Sequence, residues 1–231
     1  NIMSDLSKLT AIYSIGPELA KKLVVKYKLD LNKPIRAQLK KHAADLPVAT
    51  QADLKYNPSR RIPNAIIAKF DAVLRTKLRG FRYEIAGSYK RGKPFSRDID
   101  IIVCSPSNKT TAEHWDAFVA RMPSNVKFIK PYAQGLDKVS TMLKFNNYTC
   151  KVDVFFTDPR EYMFMLLYAT GSGTFNIRMR ATAKRLGYLL NQRGLYKRVS
   201  NTVLRRIPVK NEKALFKKLK MKYLKPSERK R

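Results

Sequence analysis

A chain of 231 residues can hold one sizeable domain or a few small subdomains around an ample core. Its 48 Lys and Arg oppose 17 Asp and Glu, and the resulting +31 is far more than solubility needs. It points to a polyanionic partner, nucleic acid first and an anionic membrane second. No segment reaches the roughly 18 apolar residues of a membrane span, so no membrane association is expected. Cys104 and Cys150 are too few for a disulfide framework and suit a reducing, intracellular compartment as buried thiols. His42 and His114 lack metal-ligand spacing, and no secretory signal is expected.

In chain order, residues 1 to about 78 read as helical. Ile12-Tyr13-Ser14-Ile15-Gly16-Pro17 forms a tight turn into a helix, with Pro17 at its first position and Leu19 and Leu23 on one face. Taken alone, such a Gly-Pro helix start is more often structural. Asn57-Pro58 and Ile62-Pro63 interrupt helicity and mark a boundary. A helix over 65–78 follows, with Ile66, Phe70, Val73 and Leu74 on a common face, and Gly80 ends it. Strands are expected at 81–86, 99–103, 126–129, 141–145 and 151–156, with a helix over 111–122 turning Trp115 and Phe118 inward. Helices at 160–168 and 174–186, strands at 188–191 and 195–197, and a basic helix over 212–222 carrying Leu215, Phe216 and Leu219 complete the pattern. The terminal charges around Arg229 read as a solvated tail. There is no internal repeat.

The chemistry concentrates in residues 85–104, I-A-G-S-Y-K-R-G-K-P-F-S-R-D-I-D-I-I-V-C. Strand alternation sends Asp98 and Asp100 to one face while Ile99 and Ile101 pack behind. Two carboxylates on one face of a buried strand repel each other and lose hydration, so they need a cation. On those residues alone, a solvated edge strand is an equal reading. The glycine-led turn at Gly87-Ser88 with Arg91 suits an anionic phosphate ligand and shifts the balance. Asp153 lies in the apolar run Lys151-Val152-Asp153-Val154-Phe155-Phe156 and joins the other two if that strand neighbours 99–103. Three converging carboxylates imply a pair of divalent cations suited to phosphoryl transfer, Mg²⁺ or Mn²⁺ given oxygen-only donors.

G-S-Y-K-R-G followed by D-I-D resembles the nucleotidyltransferase signature of the family X DNA polymerases, the group containing polymerase β. The later block L-L-Y-A-T-G-S-G-T-F-N-I-R-M-R-A resembles the Tyr-Phe-Thr-Gly-Ser…Phe-Asn…Arg-Ala segment of the same family, with Ala169 in place of the usual Phe. The resemblance covers nearly the whole chain. It implies an α+β fold in which a nucleotidyltransferase palm, a mixed sheet with helices over residues 64–158, is flanked by two smaller parts. These are a helix-hairpin-helix DNA-binding subdomain over 1–63 and a small α+β nucleotide-binding subdomain over 159–231. No amino-terminal lyase domain is expected in these residues.

The same resemblance implies a DNA-directed DNA polymerase that would fill short gaps in repair, adding dNMP to a primer 3′-hydroxyl. It would act as a monomer on gapped or primer-template DNA and dNTP, in a nucleus or at a viral replication site. Asp98, Asp100 and Asp153 would be catalytic and hold two Mg²⁺, with Mn²⁺ as a substitute. Arg61, Ser88, Arg91 and Ser96 would contact phosphate. Tyr168 and Gly171 would border the sugar, Phe175 would stack on the base or sugar, and Asn176 would reach the minor-groove edge. Without its motif, Phe175 reads as a core aromatic. Gly16, Lys21, Lys22 and Arg180 would contact DNA, and Arg97, where a glycine is common, has no assigned role. In the polymerase β branch, an arginine after the third aspartate alternates between the middle aspartate and a glutamate, with a phenylalanine as spacer. Here those positions read Phe155, Gln192 and Ala169, which implies a lost switch and an Asp100 free for metal before nucleotide arrives; an Asp100 held by another basic residue, such as Arg193, would contradict this. The rival readings are a template-independent terminal nucleotidyltransferase and a catalytically inactive DNA-end-binding module.

Overall fold

The computed structural model describes residues 6–105, 108–200 and 203–229. Four hydrophobic clusters divide it. The first belongs to an all-helical amino-terminal unit built from Ser7–Thr10, Pro17–Tyr27, Ile35–Lys40 and Val48–Tyr56, with Leu9, Leu23, Leu39 and Leu54 at its centre. Gly16 caps the second of these helices in extended conformation, with Pro17 at its first position. That is the placement expected from a ring that fixes φ and needs no N–H partner there.

The middle of the chain forms a six-stranded mixed sheet. In chain order its strands are β1 (Tyr83–Ile85), β2 (Asp98–Cys104), β3 (Lys127–Phe128), β4 (Ala133–Gln134), β5 (Lys138–Phe145) and β6 (Tyr148–Thr157). The spatial order is β1-β2-β6-β5-β3, with β4 also on β5. Only β2 and β6 run parallel, and the remaining pairs are antiparallel. One face is covered by α1 (Asn64–Lys77) and α2 (Thr111–Val119) through Phe70, Leu74, Trp115 and Phe118. A capping box of Thr110 and Glu113 fixes the start of α2 by satisfying two otherwise orphaned donors.

The opposite face is polar over Asp98 and Asp100 and turns apolar two residues later. There Ile102 packs against Tyr162 and Met165 of α3 (Tyr162–Thr170). This joint docks the carboxy-terminal part on the sheet. That part adds α4 (Gly173–Arg185), an antiparallel sheet of β7 (Tyr188–Asn191), β8 (Gly194–Arg198) and β9 (Leu204–Ile207), and the helix Glu212–Lys218. The small pair Ile62–Pro63 with Phe95–Ser96 ties the loop before β2 to the start of α1. Among the described residues, no helix is long and apolar enough to cross a membrane. Cys104 is half-buried, Cys150 is buried, and both are unbonded thiols.

Two expectations are corrected here. Arg229 is not a solvated tail residue: it is 1% exposed, donates to Glu212 at 2.7 Å and to the Leu224 carbonyl, and lies over the rings of Phe175 and Phe216. A guanidinium is tolerated there because a carboxylate and a carbonyl receive its protons and two aromatic faces receive its charge. The basic helix is also shorter than 212–222, ending at Lys218, with Lys220 in left-handed conformation.

Candidate active site

Register places the carboxylates. In the parallel β2–β6 pair Asp98 lies opposite Lys151 and Asp100 opposite Asp153. Because alternate residues share a face, all four charged side chains project from the same side of the sheet. On the next strand Ser140 pairs with Asp153 in antiparallel register. Asp153 accepts from Ser140 Oγ at 2.6 Å and from Lys151 Nζ at 2.8 Å. Lys151 Nζ is 3.9 Å from Asp98, and Lys138 Nζ is 3.8 Å from Asp153.

This arrangement splits the three acids. Burial, with the like charges of Asp98 and Asp153, pushes the Asp100 carboxyl up to about 8. Burial and Asp153 also raise Asp98, against the opposing pull of Lys151, Arg97 and Arg91. Burial alone would raise Asp153, but the charge and hydrogen bond of Lys151 and the hydroxyl of Ser140 hold it below the ordinary carboxylate range. Lys151 is itself raised by Asp153 and Asp98 despite its burial. Among the described residues no lysine or arginine reaches ion-pair distance of Asp100, and no three potential ligands form a ready metal cage. The donors are carboxylate oxygens only, and the strained Asp100 is short of a cation. In kind they fit a hard divalent ion such as Mg²⁺, with Lys151 standing among them as an internal cation.

The site opens into a cleft of about 1100 Å³ walled by Arg61, Arg91, Lys93 and Arg97 on one side and by Tyr168, Gly171 and Asn176 on the other. Gly87 has φ +62°, and a Cβ there would meet Asp100 Oδ2 at 2.8 Å, so both conformation and space call for glycine. Ser88 and Ser96 share a hydrogen bond of 2.8 Å at the cleft floor. Arg91 donates to the carbonyl of Thr170, joining the basic turn to the end of α3 beside Gly171. Arg61 lies 4.2 Å over the ring of Phe95. Tyr168 is exposed beneath Arg180, and Asn176 Nδ2 donates to the Tyr168 carbonyl at 2.8 Å.

Phe175 does not face the cleft. It is 1% exposed and stacks on Phe216 at 5.9 Å beneath Arg229, so its ring is not available to a base or sugar and the core reading holds. Gly16 is outside the main cleft and borders a second one of about 380 Å³ with Tyr13, Ser14, Arg97 and Asp98. Lys21 and Lys22 are exposed, Lys21 beside Glu18. Arg97 does have partners: it donates to the Ala11 carbonyl at 2.7 Å and lies over Tyr13, clasping the amino-terminal unit. Phe155, Gln192 and Ala169 all line the main cleft. Arg193 does not hold Asp100; it pairs with Asp137 at 3.0 Å and Glu161 at 3.3 Å.

Sequence reasoning missed Lys151, Lys138, Ser140 and Tyr13. Lys151 was signalled by its position two residues before Asp153 on the same strand face. Lys138, Ser140 and Tyr13 reach the site through strand register and tertiary docking, which no local pattern records.

Family models described as DNA polymerase beta palm and DNA polymerase beta thumb match residues 61–150 and 165–230. A DNA polymerase lambda of Arabidopsis thaliana is 27% identical over 94% of this chain, which spans only 45% of that protein's length. A repair DNA polymerase X of African swine fever virus is 28% identical over 62% of this chain and 78% of its own. Among solved structures, polymerase beta of Leishmania infantum in its ternary P/T complex superposes with a TM-score of 0.76 at 26% identity, covering 99% of both chains. Its ternary gap complex gives the same score at 25% identity over 98% and 90%. With the palm and thumb both matched and the whole described architecture shared, the chain belongs to the family X DNA polymerases.

Proposed function

We propose that this chain is a DNA-directed DNA polymerase that extends a primer 3′-hydroxyl across short gaps in repair. The observation that carries the reading is the register that sets Asp98, Asp100 and Asp153 on one sheet face at the floor of a cleft with a basic wall. Residues 1–63 serve as the DNA-binding subdomain, 64–158 as the palm and 159–231 as the nucleotide-binding subdomain. The three aspartates would hold two divalent cations, Mg²⁺ by their oxygen donors; when bound, such ions lower the pKa of a hydroxyl and neutralise phosphate charge.

The chain's own groups account for the rest. Ser88, Arg91 and Ser96 bind and orient the triphosphate, with Arg61 at the outer edge. Tyr168 and the backbone at Gly171 border the sugar and exclude a 2′-hydroxyl, while Asn176 lies alongside the base edge. Asp153, kept ionised by Lys151 and Ser140, is the group fitted to accept the proton of the attacking hydroxyl. Gly16, Lys21, Lys22 and Arg180 contact the DNA backbone, and the enzyme acts as a monomer.

Primer extension on gapped, recessed and single-stranded DNA, one dNTP at a time, tests this. Template-directed addition favouring the gap is expected. Asp100→Asn and Asp153→Asn should each lower turnover by at least about 10³-fold while leaving DNA affinity within a few-fold. Equal activity on single-stranded DNA would establish a terminal transferase instead, and no activity with any metal would establish an end-binding module.

A further inference from the structure

Tyr13 carries the amino-terminal helical unit up to the carboxylate site. Its own unit holds it rigidly: its N–H donates to Asp53 at 2.9 Å and its carbonyl accepts from Thr50 Oγ1 at 2.8 Å. Asp53 is fully buried and is fixed in turn by Arg36 and Arg60, at 2.7 and 2.6 Å. The far end of Tyr13 crosses to the sheet, where the hydroxyl donates to the Arg97 carbonyl, one residue before Asp98. The residue is 7% exposed and its ring faces three cations, with Arg60 at 4.7 Å, Arg97 at 4.9 Å and Lys151 at 5.4 Å from its centroid. Lys151 therefore sits between that ring and the carboxylates of Asp153 and Asp98, at 2.8 and 3.9 Å.

An ammonium in that position competes with any divalent ion for the same oxygens. It can yield only by moving, and the ring lies across its side facing the amino-terminal unit while attracting its charge. We propose that Tyr13 is a positioning residue that, while the amino-terminal unit is docked, keeps Lys151 on Asp98 and Asp153 and so holds down the site's affinity for divalent cations. Undocking withdraws the ring, frees Lys151 and raises that affinity. The coupling must be reciprocal, so a bound divalent ion favours the undocked unit by the same factor. The inference rests on the reading of the three aspartates as metal ligands.

The test is Mn²⁺ binding to the full chain without DNA, followed by electron paramagnetic resonance, with circular dichroism melts to verify folding. Lys151→Met should tighten Mn²⁺ about 10-fold and Tyr13→Leu about 3–10-fold, because each removes the internal competitor or its wall. Tyr13→Phe, which keeps the ring, should stay within about two-fold. A folded Tyr13→Leu with unchanged affinity beside a tightened Lys151→Met overturns the role of Tyr13. An unchanged or weakened Lys151→Met overturns the competition itself. Should Tyr13→Leu not fold, the wild-type protein decides: saturating Mn²⁺ should accelerate amide exchange across residues 11–16, and unchanged or slower exchange overturns the coupling. Asp153→Asn is the control; wild-type Mn²⁺ affinity in that variant refutes the metal-ligand reading rather than the latch alone.

Discussion

At the residue scale the site is a contest between burial and charge, and Asp100 loses it. Its burial, and then the like charges of Asp98 and Asp153, push its carboxyl up to about 8, whereas in the unfolded chain it titrates near 4. A group raised by folding contributes stability that is complete below its unfolded pKa and disappears as pH rises through its folded one. The metal-free protein should therefore lose stability from about pH 4 to about pH 8 on account of Asp100. Asp100→Asn removes that loss: thermal melts without divalent ions should show little change at pH 5 and a gain of about 2–6 °C at pH 8. Asp153 behaves oppositely, since its lowered pKa gives stability present at neutral pH and lost only as pH falls through it. The pairing of Asp98 with Asp100 was legible because strand alternation is a local rule. The partners that set Asp153 apart from them were not, since Lys138 and Ser140 arrive from a neighbouring strand. Phe175 was misread for a related reason: a motif gives residue identity, but the direction of a helical side chain depends on what packs beneath it, here Phe216 and Arg229.

Among the elements, the longest periodic segments were read well. The helices over 65–78 and 174–186 are Asn64–Lys77 and Gly173–Arg185. Short elements fixed by their partners were not foreseen, among them Leu204–Ile207 and the pair of Ile62–Pro63 with Phe95–Ser96, which carry too few residues for a period. These partner contacts govern how the carboxy-terminal part meets the sheet. Arg193, in the β7–β8 turn, clamps Asp137 beside Lys138 and reaches Glu161 at the start of α3. Arg193→Ala should loosen this joint with little loss of stability, because the side chain is 42% exposed and such pairs contribute about 1 kcal/mol or less. Faster amide exchange at residues 135–138 and 190–194 is the expected readout, and unchanged exchange would show that the apolar joint at Ile102 and Met165 suffices alone. Arg229 is the contrasting case. Arg229→Met takes the buried cation from Glu212, leaving that carboxylate to the Tyr223 hydroxyl, and from between two rings, so a loss of about 3 kcal/mol, about 6–12 °C in Tm, is expected in thermal melts.

For the whole molecule, a +31 charge in 231 residues repels itself and is tolerated because the cations are spread over all three parts rather than held in one cluster. Much of it lies where no acid can meet it: Lys22 on the amino-terminal unit, Lys93 and Arg61 at the cleft rim, and Arg180 on α4 are all exposed. Of the acids, Asp53, Asp71 and Asp153 are buried and Asp98 and Asp100 line the main cleft, while others such as Glu18 and Asp45 stay exposed. The inner site is thus anionic and the outer surface cationic, the order that suits a polyanion outside and a metal-dependent reaction within. If DNA is that polyanion, its affinity comes from released counterions, and the logarithm of the binding constant should fall linearly with the logarithm of salt. For roughly 6–10 phosphates in contact, affinity should drop about 10³–10⁵-fold between 50 and 200 mM salt. Fluorescence anisotropy of a labelled gapped duplex measures this directly. Lys22→Ala should reduce the slope by about one charge without altering the preference among DNA ends, because a phosphate contact carries no sequence information. A slope that stays shallow in the intact protein would show that the surface charge is not what binds DNA, and would move the search for affinity to the two clefts beside Asp98.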